Sequence, residues 1–171
     1  MNKLLSLIIE LFLSVGVCRG QNTANIKVPE DKYVVAESSA DGLPAVIVAN
    51  AGLRNFKHKK QYGWTCSLVI TYKDLAMSGM PTMEESGFVF DYIEKLDADI
   101  KGCADKPNAL FVARITWNGT CEVIWQVSDP ERVHEYLGGI IKNKTYPREM
   151  DYRIERDEKW KGVSMYTKIK E

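Results

Sequence analysis

Side chains that commonly perform chemistry are sparse in this sequence of 171 residues. It contains two histidines, His58 and His134, and four cysteines, and none of them lies at the spacing of a zinc site. The nucleophile motif GxSxG and the metalloprotease motif HExxH do not occur, and Gly138-Gly139 lies within a predicted helix rather than in a phosphate-binding loop. We therefore predict no catalytic residue, no metal and no cofactor. Catalytic residues can converge from distant positions, so a hydrolase-like enzyme with an unrecognised site stays open as the alternative.

Charged residues supply two further candidates. Glu84 and Glu85 are adjacent carboxylates, but Thr82 lies three residues before Glu85, and that spacing is typical of a helix-capping box. Residues 54–60 hold four Lys or Arg side chains and could bind an anionic ligand or polymer. No aromatic stacking pattern accompanies them, so a solvated loop is the favoured interpretation.

The overall composition is that of a single globular domain. Hydrophobic residues make up 45% of the chain and charged residues 27%. The formal net charge is zero, so the chain as a whole gives no reason to expect a nucleic-acid partner.

The first twenty residues have the composition of a secretory leader. Lys3 precedes an apolar run over residues 4–17, and Gly20-Gln21 offers a small residue at a cleavage point. We predict cleavage after Gly20, a flexible lead-in over residues 21–31 and one folded domain over residues 32–168. The mature protein would be periplasmic or secreted, without a membrane span. The alternative is attachment to a membrane through an uncleaved leader or a lipidated Cys18.

The clearest local signal is a β-hairpin over residues 109–127. Two apolar runs flank Trp117-Asn118-Gly119, and Asn-Gly between alternating strands is typical of a tight turn. We predict a three-residue loop that ends at a left-handed Gly119. The resulting register pairs Thr116 with Thr120, Ile115 with Cys121, Arg114 with Glu122, Ala113 with Val123 and Phe111 with Trp125.

The remaining periodicities predict further strands and helices. Strands are expected over residues 32–37, 45–49, 64–72 and 148–156, with helices after Thr82 and Asp129 and a short terminal helix after Asp157. From residue 64 the order is that of the ferredoxin-like split βαβ fold. We therefore predict an α+β domain with two helices on one face of an antiparallel sheet, an extra N-terminal β-hairpin and a short C-terminal helix.

The predicted register of the hairpin over residues 109–127 places polar side chains on the sheet face away from the helices. Ile115 would lie on the opposite face, toward the helices. The candidate binding residues are the polar side chains of that face together with a tryptophan from the last helix: Arg114, Thr116, Glu122, Asp151, Arg153 and Trp160. The simpler interpretation of the tryptophan is that it packs the last helix on the sheet, with Asp157 as the helix cap.

The predicted topology also bears on the cysteines, because export would place them in an oxidising compartment. Removal of the leader leaves three, an odd number. The first helix would return Cys103 to the end of the sheet where Cys66 lies, whereas Cys121 would lie at the opposite end. Cys66 and Cys103 are therefore the predicted pair if a disulfide forms, and Cys121 is predicted to be a buried thiol.

Three segments together resemble the DUF695 family, a group of domains of unknown function. They are LPAVIVAN at 43–50, SGMPTMEESG at 78–87 and DYRIERDEKWKG at 151–162. The resemblance covers roughly residues 30–168. The family has no assigned activity, so it implies no catalytic residue.

Together these features favour a binding module over an enzyme. We predict an exported, non-enzymatic domain that recognises a protein, a peptide or an envelope component through its sheet face or an edge strand.

Overall fold

The computed structural model describes residues 26–169, which form one six-stranded antiparallel sheet and two α-helices. The strands are β1 (Tyr33–Ala40), β2 (Leu43–Asn50), β3 (Trp64–Thr71), β4 (Ala109–Trp117), β5 (Thr120–Val127) and β6 (Met150–Arg156), and the helices are α1 (Met83–Lys101) and α2 (Pro130–Asn143). The strand order is β1-β2-β4-β5-β3-β6, so β1 and β6 form the two edges. The predicted leader and its cleavage site lie outside the described residues.

The N-terminal hairpin of the prediction is present and extends the sheet. β1 and β2 pair through a turn at Asp41-Gly42, where both residues have positive φ angles of 52° and 76°. Two positive φ angles are the requirement of a type I′ turn, which suits the twist of a hairpin. β2 then pairs with β4, so the sheet has six strands and the predicted α+β class is confirmed.

Both predicted helix starts are confirmed. The Thr82 hydroxyl accepts the Glu85 N–H at 3.2 Å at the start of α1, and the Asp129 carboxylate accepts the Arg132 N–H at 3.2 Å at the start of α2. α1 ends at Gly102, whose φ of 68° suits a residue without a Cβ.

The carboxylate of Glu85 does not complete the predicted capping box. It accepts the Lys73 N–H at 2.8 Å and two hydrogen bonds from the Arg148 guanidinium, also at 2.8 Å. Glu85 is 2% exposed, and hydrogen bonds from Arg148 lower its pKa to about 2. The carboxylate therefore joins α1 to the segments beside β3 and β6.

The central hairpin has a two-residue turn, so the predicted three-residue loop is wrong. Trp117 pairs with Thr120, and Asn118 and Gly119 have φ angles of 46° and 75°. This turn shifts the pairing by one position. A β-bulge between Phe111 and Ala113 shifts the register back by one position. Beyond the bulge the strands pair as predicted, and the pairing of Phe111 with Trp125 is correct.

Between the bulge and the turn, the β4 side chains point to the faces opposite to those predicted. Arg114 lies over the Phe90 ring of α1, 3.5 Å from its centroid. The Thr116 hydroxyl lies 3.3 Å from the Tyr72 hydroxyl in the helix-side core. A one-residue slip exchanges the two faces of a strand, which explains the error.

The predicted Arg114–Glu122 pair consequently does not form. Glu122 pairs with Ile115 instead, and both lie on the face away from the helices. The carboxylate of Glu122 accepts the Ser67 hydroxyl at 2.5 Å on that face.

Two hydrophobic cores lie on opposite faces of the sheet. On the helix side, Trp125 is fully buried, and its indole N–H donates to Asp97 of α1 at 2.8 Å. On the other side, a covering layer formed by residues 51–63 and 157–169 packs on Leu110, Val112 and Ile124. This layer includes the 3-10 helices Ala51–Asn55, Lys59–Tyr62 and Tyr166–Lys168.

The predicted terminal helix is wrong, because residues 157–165 form turns and only Tyr166–Lys168 is helical. Trp160 has a φ of 56°, in the left-handed region, where a right-handed helix cannot continue. That conformation costs about 1–2 kcal/mol. Complete burial of the indole, whose N–H donates to Tyr62 O at 2.8 Å, offsets the cost.

Candidate binding groove

An open groove of about 410 Å³ lies between α2 and the edge strand β6. Its lining residues are His134, Gly138 and Ile141 from the helix and Asp151, Tyr152, Arg153 and Ile154 from the strand. The helical residues are spaced four and three apart, which places them on one side of α2. The groove therefore arises where one side of a helix faces an edge strand.

Gly138 sets the depth of the groove. A Cβ atom built on Gly138 would lie 3.2 Å from the Tyr152 hydroxyl, closer than most carbon contacts. A Cβ on the neighbouring Gly139 would meet no atom within 4 Å. The absence of a side chain at Gly138 leaves room for the phenol of Tyr152 beneath the helix.

A hydrogen-bonded pair lies at the wall of the groove. The Tyr152 hydroxyl is 2.7 Å from His134 Nδ1 and 3.2 Å from the His134 carbonyl oxygen. Burial raises the pKa of Tyr152, so the phenol keeps its proton at neutral pH. Among residues 26–169, no serine, threonine or cysteine lines the groove. The hydroxyl and the imidazole of the pair offer hydrogen-bonding groups that can orient a ligand.

β6 also offers backbone hydrogen-bonding groups along the groove. Just beyond the strand, the Asp157 N–H donates to the Gly63 carbonyl oxygen at 2.8 Å. Bonding alternates along an antiparallel ladder, so the odd-numbered residues of β6 bond to β3 and the even-numbered ones direct N–H and C=O outward. The outward set is Met150, Tyr152, Ile154 and Arg156.

One outward group is already occupied. The Tyr152 N–H donates to the carboxylate of Asp151 at 2.8 Å. The backbone N–H of Ile154, two residues further on, donates to no side chain within residues 26–169. Its N–H and the outward carbonyls are therefore available to an added strand.

The structure does not bring the six predicted binding residues together. Asp151 and Arg153 line the groove, whereas the others lie elsewhere: Glu122 on the covered face, Arg114 and Thr116 on the helix side, and Trp160 buried in the covering layer. The simpler interpretation of Trp160 is correct in that the buried ring packs the covering layer on the sheet. Asp157 caps a turn rather than the predicted helix, since its carboxylate accepts the Lys161 and Gly162 N–H groups at 2.8 Å each.

Sequence reasoning missed His134, Gly138 and Tyr152 as parts of a site. The available signal was the spacing of His134, Gly138 and Ile141 on one side of a helix that packs beside a terminal strand. Gly138 was the hardest of the three to predict, because a glycine in a helix indicates only a lower stability of that helix.

The three cysteines in the described part of the chain, Cys66, Cys103 and Cys121, are free thiols. Cys66 and Cys121 are fully buried and Cys103 is partly exposed, and burial raises the pKa of Cys66 to about 12. The Cys66–Cys103 disulfide stays a prediction. Within residues 26–169, no group of three or more metal-ligating side chains could hold a metal ion.

The fold and the groove define a small α+β domain with an open cleft beside an edge strand. The family model DUF695, which describes a family of unknown function, matches residues 31–167, and the chain belongs to that family. The predicted family membership is therefore confirmed. No curated protein and no solved structure matches the chain. Neither helix of the described range combines the length and apolar character needed to cross a membrane.

Proposed function

We propose that this protein is an exported binding module that takes up an extended peptide segment as an added strand along β6. The observation that carries the proposal is the coincidence of outward backbone groups on β6 with a groove under α2. Strand addition needs both, because main-chain hydrogen bonds supply affinity and alternate side-chain pockets supply specificity.

The geometry suggests how each part acts. The Ile154 N–H and the neighbouring outward carbonyls pair with the backbone of the peptide. Every second peptide side chain then enters the groove, where Ile141 and Ile154 favour an apolar group. The Tyr152–His134 pair at the wall provides a polar contact that fixes the register.

The composition of residues 1–20 supports the export of this module. The intact mass of the protein recovered from its own cells tests this part of the proposal. A chain that starts at Gln21 supports export, and a chain that retains residues 1–20 or starts at a lipidated Cys18 contradicts the cleavage proposed.

We also propose that β3 to β6 and the two helices form a ferredoxin-like unit, with β1 and β2 as an addition. The order β4-β5-β3-β6 within the sheet and the placement of both α1 and α2 against one core support this assignment. A solved relative that lacks the β1–β2 hairpin would test it.

Selection of peptides from a random heptapeptide display library, with the chain from Gln21 as bait, tests the binding function. We expect the selected peptides to bind the Gly139→Leu variant as they bind the unmodified protein, and to lose at least tenfold in affinity for Gly138→Leu. Both variants add the same side chain to the same helix, but only Gly138→Leu places it in the groove, against the Tyr152 hydroxyl.

Thermal unfolding of both variants shows whether they fold. Unchanged peptide affinity for Gly138→Leu would show that the peptides bind outside the groove. Protection of the β1 amides rather than the β6 amides from hydrogen exchange would show the same. If Gly138→Leu does not fold, the β1 and β6 protection pattern of the unmodified protein decides the question alone.

A further inference from the structure

The covering layer has a surplus of positive charge, whereas the rest of the chain has a surplus of negative charge. Residues 51–63 and 157–169 contain seven Lys and Arg side chains and two acids, a formal net charge of +5. The whole chain has zero net charge, so the rest of the molecule carries −5. The sequence showed the basic stretch 54–60 alone, and the structure adds a second basic segment to it.

The fold joins these two segments although about a hundred residues separate them. The Trp160 indole N–H donates to the carbonyl oxygens of Lys59 and Tyr62, at 3.1 and 2.8 Å. At the other end of the layer, the Arg54 guanidinium donates to the Ile169 carbonyl oxygen at 2.7 Å. The basic side chains of this shared surface are Arg54, Lys57, Lys59, Lys60, Lys159, Lys161 and Lys168.

The two acids of the layer are already engaged. The carboxylate of Asp157 accepts two backbone N–H groups, and Glu158 forms an ion pair with Arg156 of β6. None of the seven basic side chains forms an ion pair with another residue in the range 26–169. Six of the seven are exposed, and Lys59 lies over the Trp160 ring. The positive charge of the surface is therefore directed to solvent.

We infer that the covering layer binds an anionic lipid surface. An array of exposed basic side chains suits many phosphate headgroups at once, because each cation near such a surface adds to the attraction. Met165 is 63% exposed within the layer and offers an apolar side chain to the interface. Three aromatic rings of the layer, Phe56, Tyr62 and Trp160, are buried and Tyr166 is half-buried, so the layer lacks the row of exposed rings on which nucleic-acid bases stack.

This inference is independent of the peptide groove. Tyr152 and Ile154 pack toward the helix side of the sheet, whereas the layer covers the other side. A protein held on a lipid surface by the layer would keep the groove open to a second partner.

Co-sedimentation with phosphatidylcholine vesicles, with and without about one quarter phosphatidylglycerol, tests the inference at about 50 mM NaCl. We expect the chain from Gln21 to bind only the anionic vesicles, and high salt to release it. The triple variant Lys57→Gln, Lys60→Gln, Lys161→Gln should bind roughly a hundredfold more weakly, about fivefold for each charge removed.

The matched control is Lys73→Gln, Lys95→Gln, Lys142→Gln, which removes the same charge from exposed positions outside the layer. It should bind within about twofold of the unmodified protein. Equal losses in both triple variants would show that only total charge matters, and equal binding to neutral vesicles would show that the basic layer is not responsible. Absence of binding to anionic vesicles, including the case in which duplex DNA or polyphosphate binds instead, would also overturn the inference.

Discussion

Arg148 and Glu85 form a two-point ion pair between residues 63 positions apart. Arg148 Nε lies 2.8 Å from Glu85 Oε1, and Arg148 Nη2 lies 2.8 Å from Glu85 Oε2. The Lys73 N–H donates to the same carboxylate, so a buried charge has its hydrogen bonds supplied by three donors. The pair fixes the first turn of α1 against the segments that leave β3 and enter β6.

Replacement of Glu85 by glutamine should destabilise the fold. The variant keeps the shape of the side chain but loses its charge-assisted hydrogen bonds, at a cost of about 1–3 kcal/mol. Urea unfolding measures the change. Glu84→Gln is the matched control, since Glu84 is exposed and its replacement should stay within about 0.5 kcal/mol. Equal effects of the two substitutions would contradict a structural role of the pair.

The stability contributed by Glu85 should depend on pH. The folded-state pKa of about 2 lies below the ordinary value of 4.5, so the unfolded state binds this proton first as pH falls. The contribution is then complete above about pH 5 and decreases progressively as the pH falls toward 2. The difference in unfolding free energy between the unmodified protein and Glu85→Gln should therefore shrink from neutral pH to about pH 3. A difference that stays constant over this range would refute the assignment.

Two glycine-to-alanine substitutions should have opposite signs. Gly119 has a φ of 75°, and a Cβ there would lie 3.1 Å from Leu75 Cδ1, so Gly119→Ala should cost about 1–2 kcal/mol. Gly87 lies within α1 with no atom within 4 Å of an added Cβ, so Gly87→Ala should stabilise by about 0.5–1 kcal/mol. Thermal unfolding distinguishes the two. A stabilising Gly119→Ala would mean that Gly119 does not adopt the left-handed conformation in the folded protein.

Removal of the Asp151 carboxylate should strengthen peptide binding at β6. Asp151→Ala frees the Tyr152 N–H for an incoming strand, and one additional hydrogen bond is worth about 0.5–1.5 kcal/mol, or roughly two- to tenfold in affinity. Glu155→Ala removes an exposed acid from the same side of the strand without freeing an N–H and serves as the control. Fluorescence anisotropy with a selected peptide measures both. Weaker binding by Asp151→Ala would mean that the carboxylate contacts the ligand.

Thiol labelling of the reduced chain from Gln21 should proceed in two stages. Cys103 is partly exposed and should react with iodoacetamide first, whereas Cys66 and Cys121 are fully buried and should react only on unfolding. The raised pKa of Cys66 further reduces the thiolate available for reaction. Peptide mapping identifies the labelled residues. Fast labelling of Cys121 in the native protein would contradict its place in the core.

The sequence predicted the elements with periodic or capping signals. The strand alternation from Trp64, the Thr82 cap and the Asp129-Pro130 helix start are local patterns, and the structure contains all three. The segments that resemble the family lie in β2, at the start of α1, and in β6 and the turn after it, and the family model matches residues 31–167.

The predictions that were wrong concern features that are determined by contacts between residues far apart in the sequence. The two-residue turn and the bulge at Val112 together set the pairing of β4 with β5, and neither follows from the alternation of the strand, so the predicted faces of Arg114 and Thr116 were wrong. Glu85 satisfied a local capping pattern, but Arg148 competes for it from 63 residues away. The left-handed Trp160 depends on acceptors in residues 59–62, and no local pattern near residue 160 indicates them.

The covering layer has a consequence for the order in which the chain becomes complete. Its last segment, residues 157–169, packs on Leu110, Val112 and Ile124, which are synthesised earlier. During synthesis, residues 51–63 of the layer precede four of the six strands, whereas residues 157–169 follow all six. The part of the hydrophobic surface that residues 157–169 cover therefore stays unshielded until they are synthesised, and a chain that stops at Arg156 would keep it exposed.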